Sequence, residues 1–119
     1  MLPQVVRGQV AALGMKSLGG DGQPILHGVV TAEEALRYAM SLPVATTITG
    51  IDAVEVLRQN LAIARGFTPM SASDMQALRE RCAAYAADGH LELYKSTKRY
   101  DGGVGRDQHG YPPSKDLPY

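Results

Sequence analysis

Apolar and β-branched residues fall into short runs punctuated by glycine and proline, alternating with stretches of helical period. The run Val44-Ala45-Thr46-Thr47-Ile48-Thr49 is β-branched at five of its six positions and predicts a strand. Gly50 closes it. Asp52 suits a helix N-cap, and Glu55 three residues later completes a capping-box pattern. Val54, Leu57, Leu61 and Ala64 then recur at helical spacing, so one buried face is expected there. Gly66 predicts a left-handed stop. A strand feeding a helix N-terminus leaves free backbone N–H groups and a positive dipole end above the strand. That place suits a phosphate.

The rest of the chain repeats the alternation. Residues 1–8 read as a short helix carrying Leu2, Val5 and Val6, and residues 9–15 as a near-continuous apolar strand buried on both faces, as in parallel sheets. A glycine-containing turn follows over 16–20, and Gly22 and Pro24 make 21–28 a loop. Thr31 and Glu34 predict a capping box before a helix over 32–42, with Ala35, Leu36 and Ala39 inward and Pro43 at its end. Ser71 and Asp74 open a helix over 72–87 whose inward face is Met75, Leu78, Cys82 and Tyr85. From His90 onward helical period gives way to glycine and proline, so 1–88 is expected as the domain and 89–119 as an extended, irregular tail. Strands alternating with helices predict parallel pairing through right-handed crossovers. Two parallel strands would each keep a bare edge, so the pattern reads as a piece of a larger α/β body.

Composition narrows the function classes. The 119 residues carry twelve basic and twelve acidic side chains, which removes any general electrostatic case for nucleic acid or an anionic membrane. The sole cysteine, Cys82, cannot form an internal disulfide, and no apolar run approaches the roughly 18 residues of a membrane span. The first residues lack a signal-peptide layout, so a cytoplasmic protein is expected. His27, His90 and His109 share no metal-ligand spacing, and no metal site is expected. Cys82 falls on an apolar helical face and reads as a small core residue. Tyr94, Lys95, Lys98, Arg99 and Tyr100 form a basic, aromatic cluster, but Glu92, Asp101 and Asp107 interleave with it, which favours a solvated arm over an RNA contact.

The stretch GMKSLGG, followed by TAEEALRYAMSLPVATTITGIDAVEVLRQNLAIA, resembles the C-terminal end of the aldo/keto reductases. The tail from GHLELYKSTKRYDG through GRDQHGYPP is similar to one bacterial branch of the same family. The resemblance implies an α/β fold: strand seven, helix seven, strand eight, helix eight and an extra helix of a TIM-type barrel, incomplete, with an irregular C-terminal tail. It also implies a partial NADP-dependent oxidoreductase domain that reduces carbonyls with NADPH or NADH. By position, Met15, Lys16, Leu18 and Gly19 correspond to the family's nicotinamide and pyrophosphate turn, with Met15 where a tyrosine often stacks. Gly50, Ile51 and Asp52 correspond to the turn on the adenosine phosphate, and Gln59 and Asn60 to residues at the adenine end. An anionic 2′-phosphate beside Asp52 would be repelled, so NADP and NAD both stay open.

The family's catalytic tyrosine, lysine, aspartate and histidine belong to the first half of its fold. The resemblance therefore implies a chain that contributes to the cofactor surface for a small carbonyl substrate but carries no catalytic residue. A different class of function is also open. The chain would then be a non-catalytic α/β module that self-associates or docks on a partner through exposed strand edges.

Overall fold

The computed structural model describes residues 2–92 and 103–116. It is mostly helical. In chain order come α1 (Leu2–Arg7), β1 (Leu13–Gly14), α2 (Gln23–Leu26), α3 (Ala32–Ser41), β2 (Thr46–Thr47), α4 (Val54–Arg65), α5 (Ala72–Ala86), α6 (Gly103–Gln108) and a 3-10 turn at Ser114–Asp116. β1 and β2 pair in parallel, with Leu13 opposite Thr46 and Gly14 opposite Thr47. The ladder is extended by the Ala45 N–H donating to the Ala12 carbonyl and the Ile48 N–H donating to the Gly14 carbonyl, both at 2.7 Å.

This corrects the expected fold class. Among the described residues, a set of β/α units of a TIM-type barrel is not present. Two strands of two residues each stand in a helical body. The reason lies in pairing. β-branched residues suit a pleated surface, but a strand extends only where neighbours supply its hydrogen bonds. Gln9 turns to φ 53°, and the Val10 N–H donates back to the Val5 carbonyl, so the start of the expected first strand closes α1 instead. The Val44 N–H likewise turns back to the Leu42 carbonyl at 2.7 Å.

α3 is the spine of the molecule. Its N-terminus is the expected capping box: the Glu34 N–H donates to Thr31 Oγ1 at 3.1 Å, and the Thr31 N–H donates to Glu34 Oε2 at 2.8 Å. Leu36 is buried on its inner face. At the other end, Ser41 Oγ donates to the Arg37 carbonyl and accepts from the Met70 N–H, and Arg37 Nη2 donates to Thr68 Oγ1. α3 is thereby tied to the segment joining α4 and α5. Two further bonds reach α5 itself: Arg81 Nη2 donates to Glu34 Oε1 at 2.6 Å, and Arg79 Nη1 donates to Tyr38 Oη at 3.1 Å.

α4 departs from its sequence reading in three ways. Its N-cap is Ala53, with no side-chain bond, so Asp52 and Glu55 form no capping box. Gly66 sits at φ −89° rather than in the left-handed region. The helix is also rotated. Asn60 is buried and Val56 and Ile63 are half-buried, while Val54, Leu57 and Leu61 are exposed. The most apolar stripe of α4 thus faces outward. α5 matches its reading better: Ser71 caps the Asp74 N–H, Leu78 is buried, and Met75 and Cys82 are half-buried, although Tyr85 is exposed. The loop expected over 21–28 contains the one-turn helix α2, started by Pro24 in its first turn.

Candidate functional site

The parallel register decides the geometry of the two glycine turns. With Gly14 opposite Thr47, the segments that begin at Met15 and Ile48 leave the sheet at the same end. Met15 is 64% exposed and Ile51 51% exposed, and Lys16, Gly50 and Asp52 also lie on the surface. Lys16 takes the left-handed region at φ 60°, a rare backbone state for a side chain of its kind. Leu18 is half-buried and Gly19 is buried.

The two turns use glycine for different reasons. Gly19 has φ +78°, and a Cβ there would lie 2.6 Å from Pro24 Cδ, so only glycine fits. Gly50 has neither constraint: its φ is ordinary, and a Cβ built on it meets no atom within 4 Å. Nothing among the described residues requires glycine at that position.

Gln59 and Asn60 are separated by the helix they share. Gln59 is exposed, whereas Asn60 is 8% exposed. Both lie about 8–9 Å along α4 from its first residue, away from Asp52. Neither Asn60 Nδ2 nor Oδ1 has a hydrogen-bond partner, and Thr47 Oγ1 and Thr49 Oγ1 are buried and unpartnered as well. A buried polar group without a partner costs about 1–3 kcal/mol. β2, the residue pair beyond it and α4 thus hold polar capacity that the chain leaves unspent.

A cavity of about 340 Å³ lies behind the first turn, between residues 16–19, the start of α3 and the middle of α5. Three of the four buried apolar side chains among the described residues line it: Val29, Leu78 and Leu91. Tyr38, Arg79 and Cys82 add polar atoms. Burial pushes the Cys82 thiol above its ordinary range, so it is a neutral thiol at physiological pH. No sequence signal singled out Tyr38 or Arg79. Each reads as an ordinary helix residue until α3 and α5 are packed together.

Other titratable groups serve structure. The Arg81 guanidinium, then the Thr31 N–H, hold the Glu34 carboxyl below the usual range. His90 hydrogen-bonds the Asp88 carboxyl and lowers it too. His27 and His109 are exposed, and among the described residues no group of three or more His, Cys, Asp or Glu could hold a metal ion. The basic, aromatic cluster at Tyr94–Tyr100 lies outside the described residues. Among the described residues, no helix is long and apolar enough to cross a membrane.

No family model, no curated protein and no solved structure matches the chain. The functional reading therefore rests on the residues and their geometry.

Proposed function

We propose that the chain is the C-terminal part of an aldo/keto-reductase-like oxidoreductase, contributing to the NADPH- or NADH-binding surface and carrying none of the catalytic tetrad. The observation that carries this reading is the parallel register, which sends the Lys16–Gly19 and Gly50–Asp52 turns off one end of the sheet. Two further features fit a dinucleotide. The space beside Gly50 accepts close approach by a phosphate, and the unpartnered amide of Asn60 has hydrogen bonds to give. Lys16 places a cation at the first turn, and Gly50–Asp52 offers backbone N–H groups at the second. Bound NAD(P)H would supply the hydride for reduction of a small carbonyl. The lone cysteine fits a reducing, cytoplasmic setting.

The test is a fluorescence titration of the purified chain with NADPH and with NADH. Saturable binding near or below about 1 mM, roughly −4 kcal/mol, is expected for a partial surface. Gly50→Val, which has room for its side chain, should weaken that binding without loss of helicity. A folded chain that binds neither dinucleotide overturns the reading. No carbonyl-dependent oxidation of NADPH is expected, and measurable turnover would refute the absence of the tetrad.

One observation favours a second reading, a module that self-associates. Among the described residues each strand is paired on one side only, and Leu13 is 63% exposed and Ile48 43%. Unpaired edges with exposed apolar side chains recruit further strands. Sedimentation velocity separates the two: a discrete folded oligomer supports the module, and a monomer at high concentration rejects it.

A further inference from the structure

We propose that the cavity between the Lys16–Gly19 turn, α3 and α5 is a binding site for a small branched or aromatic carboxylate. The cavity shares the Lys16–Gly19 turn with the proposed dinucleotide surface and lies apart from its second turn, because none of Gly50, Ile51 and Asp52 lines it.

Three features set the ligand class. The first is the floor. Val29, Leu78 and Leu91 are 6%, 8% and 4% exposed, so the core of the molecule gathers around this space rather than filling it. At about 340 Å³ the cavity falls at the small end of ligand pockets, room for one ring or a branched chain. The second is a held cation. Arg79 Nε and Nη2 both donate to Gln76 Oε1, at 3.1 and 2.6 Å, which fixes the guanidinium plane and turns Nη1 toward Tyr38. Lys16 and Glu92 also enter the lining with opposite charges, and each has a further interaction of its own. With Arg79, the lining carries two cationic side chains against one carboxylate. The third is an unspent donor. Tyr38 Oη accepts from Arg79 at 3.1 Å, so its own proton is left to donate. A guanidinium and a phenol proton beside an apolar pocket match a carboxylate on an apolar body.

Cys82 lines the same cavity and is the sole cysteine of the chain, so its alkylation reports occupancy at one place. The experiment follows N-ethylmaleimide modification of the full chain at mildly alkaline pH, with phenylacetate or its neutral isostere phenylacetamide added. Phenylacetate should protect Cys82 at about tenfold lower concentration than phenylacetamide. Arg79→Gln should erase that difference, and Arg79→Lys, which keeps the charge, should retain most of it. Arg79 is exposed, so both variants should keep the wild-type far-UV spectrum. Equal protection by acid and amide in the wild type refutes the carboxylate assignment, and protection by neither refutes the site. Protection by NADPH at its own binding concentration shows that the dinucleotide fills the cavity and overturns a separate carboxylate site.

Discussion

Glu34 joins two functions in one carboxylate, and truncating it measures both. Oε2 accepts from the Thr31 N–H at 2.8 Å and from Thr31 Oγ1 at 3.1 Å, completing the N-cap of α3. Oε1 accepts from Arg81 Nη2 at 2.6 Å, tying α3 to α5. The side chains are 35% and 49% exposed, so the ion pair contributes only about 0.2–1 kcal/mol. Loss of the reciprocal cap adds about 0.5–1 kcal/mol. Glu34→Ala should therefore cost about 1–2 kcal/mol in urea denaturation followed by circular dichroism, with an unchanged m-value. Glu34→Gln can still bridge to Thr31 and should lose only the charge-dependent share. The pH dependence has a definite sign. Arg81 first, and then the Thr31 N–H, lower the folded-state pKa of Glu34. The charge contribution is thus fully present above the ordinary glutamate value of about 4.3 and is lost as pH falls through the lower folded-state value. The gap between wild type and Glu34→Gln should be flat at neutral pH and close in acid. A gap that widens in acid, or an alanine variant as stable as wild type, would refute the bridging role.

Three more perturbations test separate parts of the structure. Gly19→Ala forces a left-handed alanine, about 1–2 kcal/mol by itself, and sets its Cβ 2.6 Å from the Pro24 ring, so a clear fall in thermal midpoint is expected; an unchanged midpoint would mean that the turn is built differently. Asn60→Leu removes two buried, unpartnered polar atoms and should stabilise the free chain by about 1 kcal/mol while weakening dinucleotide binding; a less stable variant would show that the amide already has a partner in solution. Leu57→Gln with Leu61→Gln alters side chains that are 39% and 43% exposed, so the unfolding free energy from urea denaturation should change by less than about 0.5 kcal/mol for each substitution; a large loss would place this stripe in the core after all.

Local chemistry was legible and rotation was not. The helices over 32–41 and 72–86 follow from Thr31 and Ser71, whose hydroxyls accept the N–H three residues on, and from Leu36 and Leu78 at helical spacing. Those signals are contained within one turn of chain. The face that α4 buries depends instead on what lies beside it. Its sequence offers Val54, Leu57 and Leu61 as the apolar stripe, yet the shielded side is the one bearing Val56, Asn60 and Ile63. The strands show the same limit. Threonine and valine at 44–49 describe a residue set that suits a sheet, and the length of the sheet is set by the number of neighbours. At the candidate site, the shared end of the two turns followed from parallel pairing. The Tyr38–Arg79 pair did not, because its partners lie 41 residues apart on helices whose packing no local pattern states.

Among the described residues the two-stranded parallel sheet has two open edges, and apolar groups at Val10, Leu13, Met15 and Ile48 stay exposed. α4 buries the side that carries the unpartnered Asn60 amide and leaves Val54, Leu57 and Leu61 exposed. Both readings of function draw on this frustration and differ in what relieves it. In the oxidoreductase reading, a dinucleotide engages the polar atoms of β2 and α4. In the module reading, a second copy covers the edges and the polar atoms stay unspent. A dinucleotide that stabilises the chain against urea while leaving its sedimentation unchanged would favour the first, because binding to the native state alone raises stability by mass action. Stability that instead rises with protein concentration would favour the second.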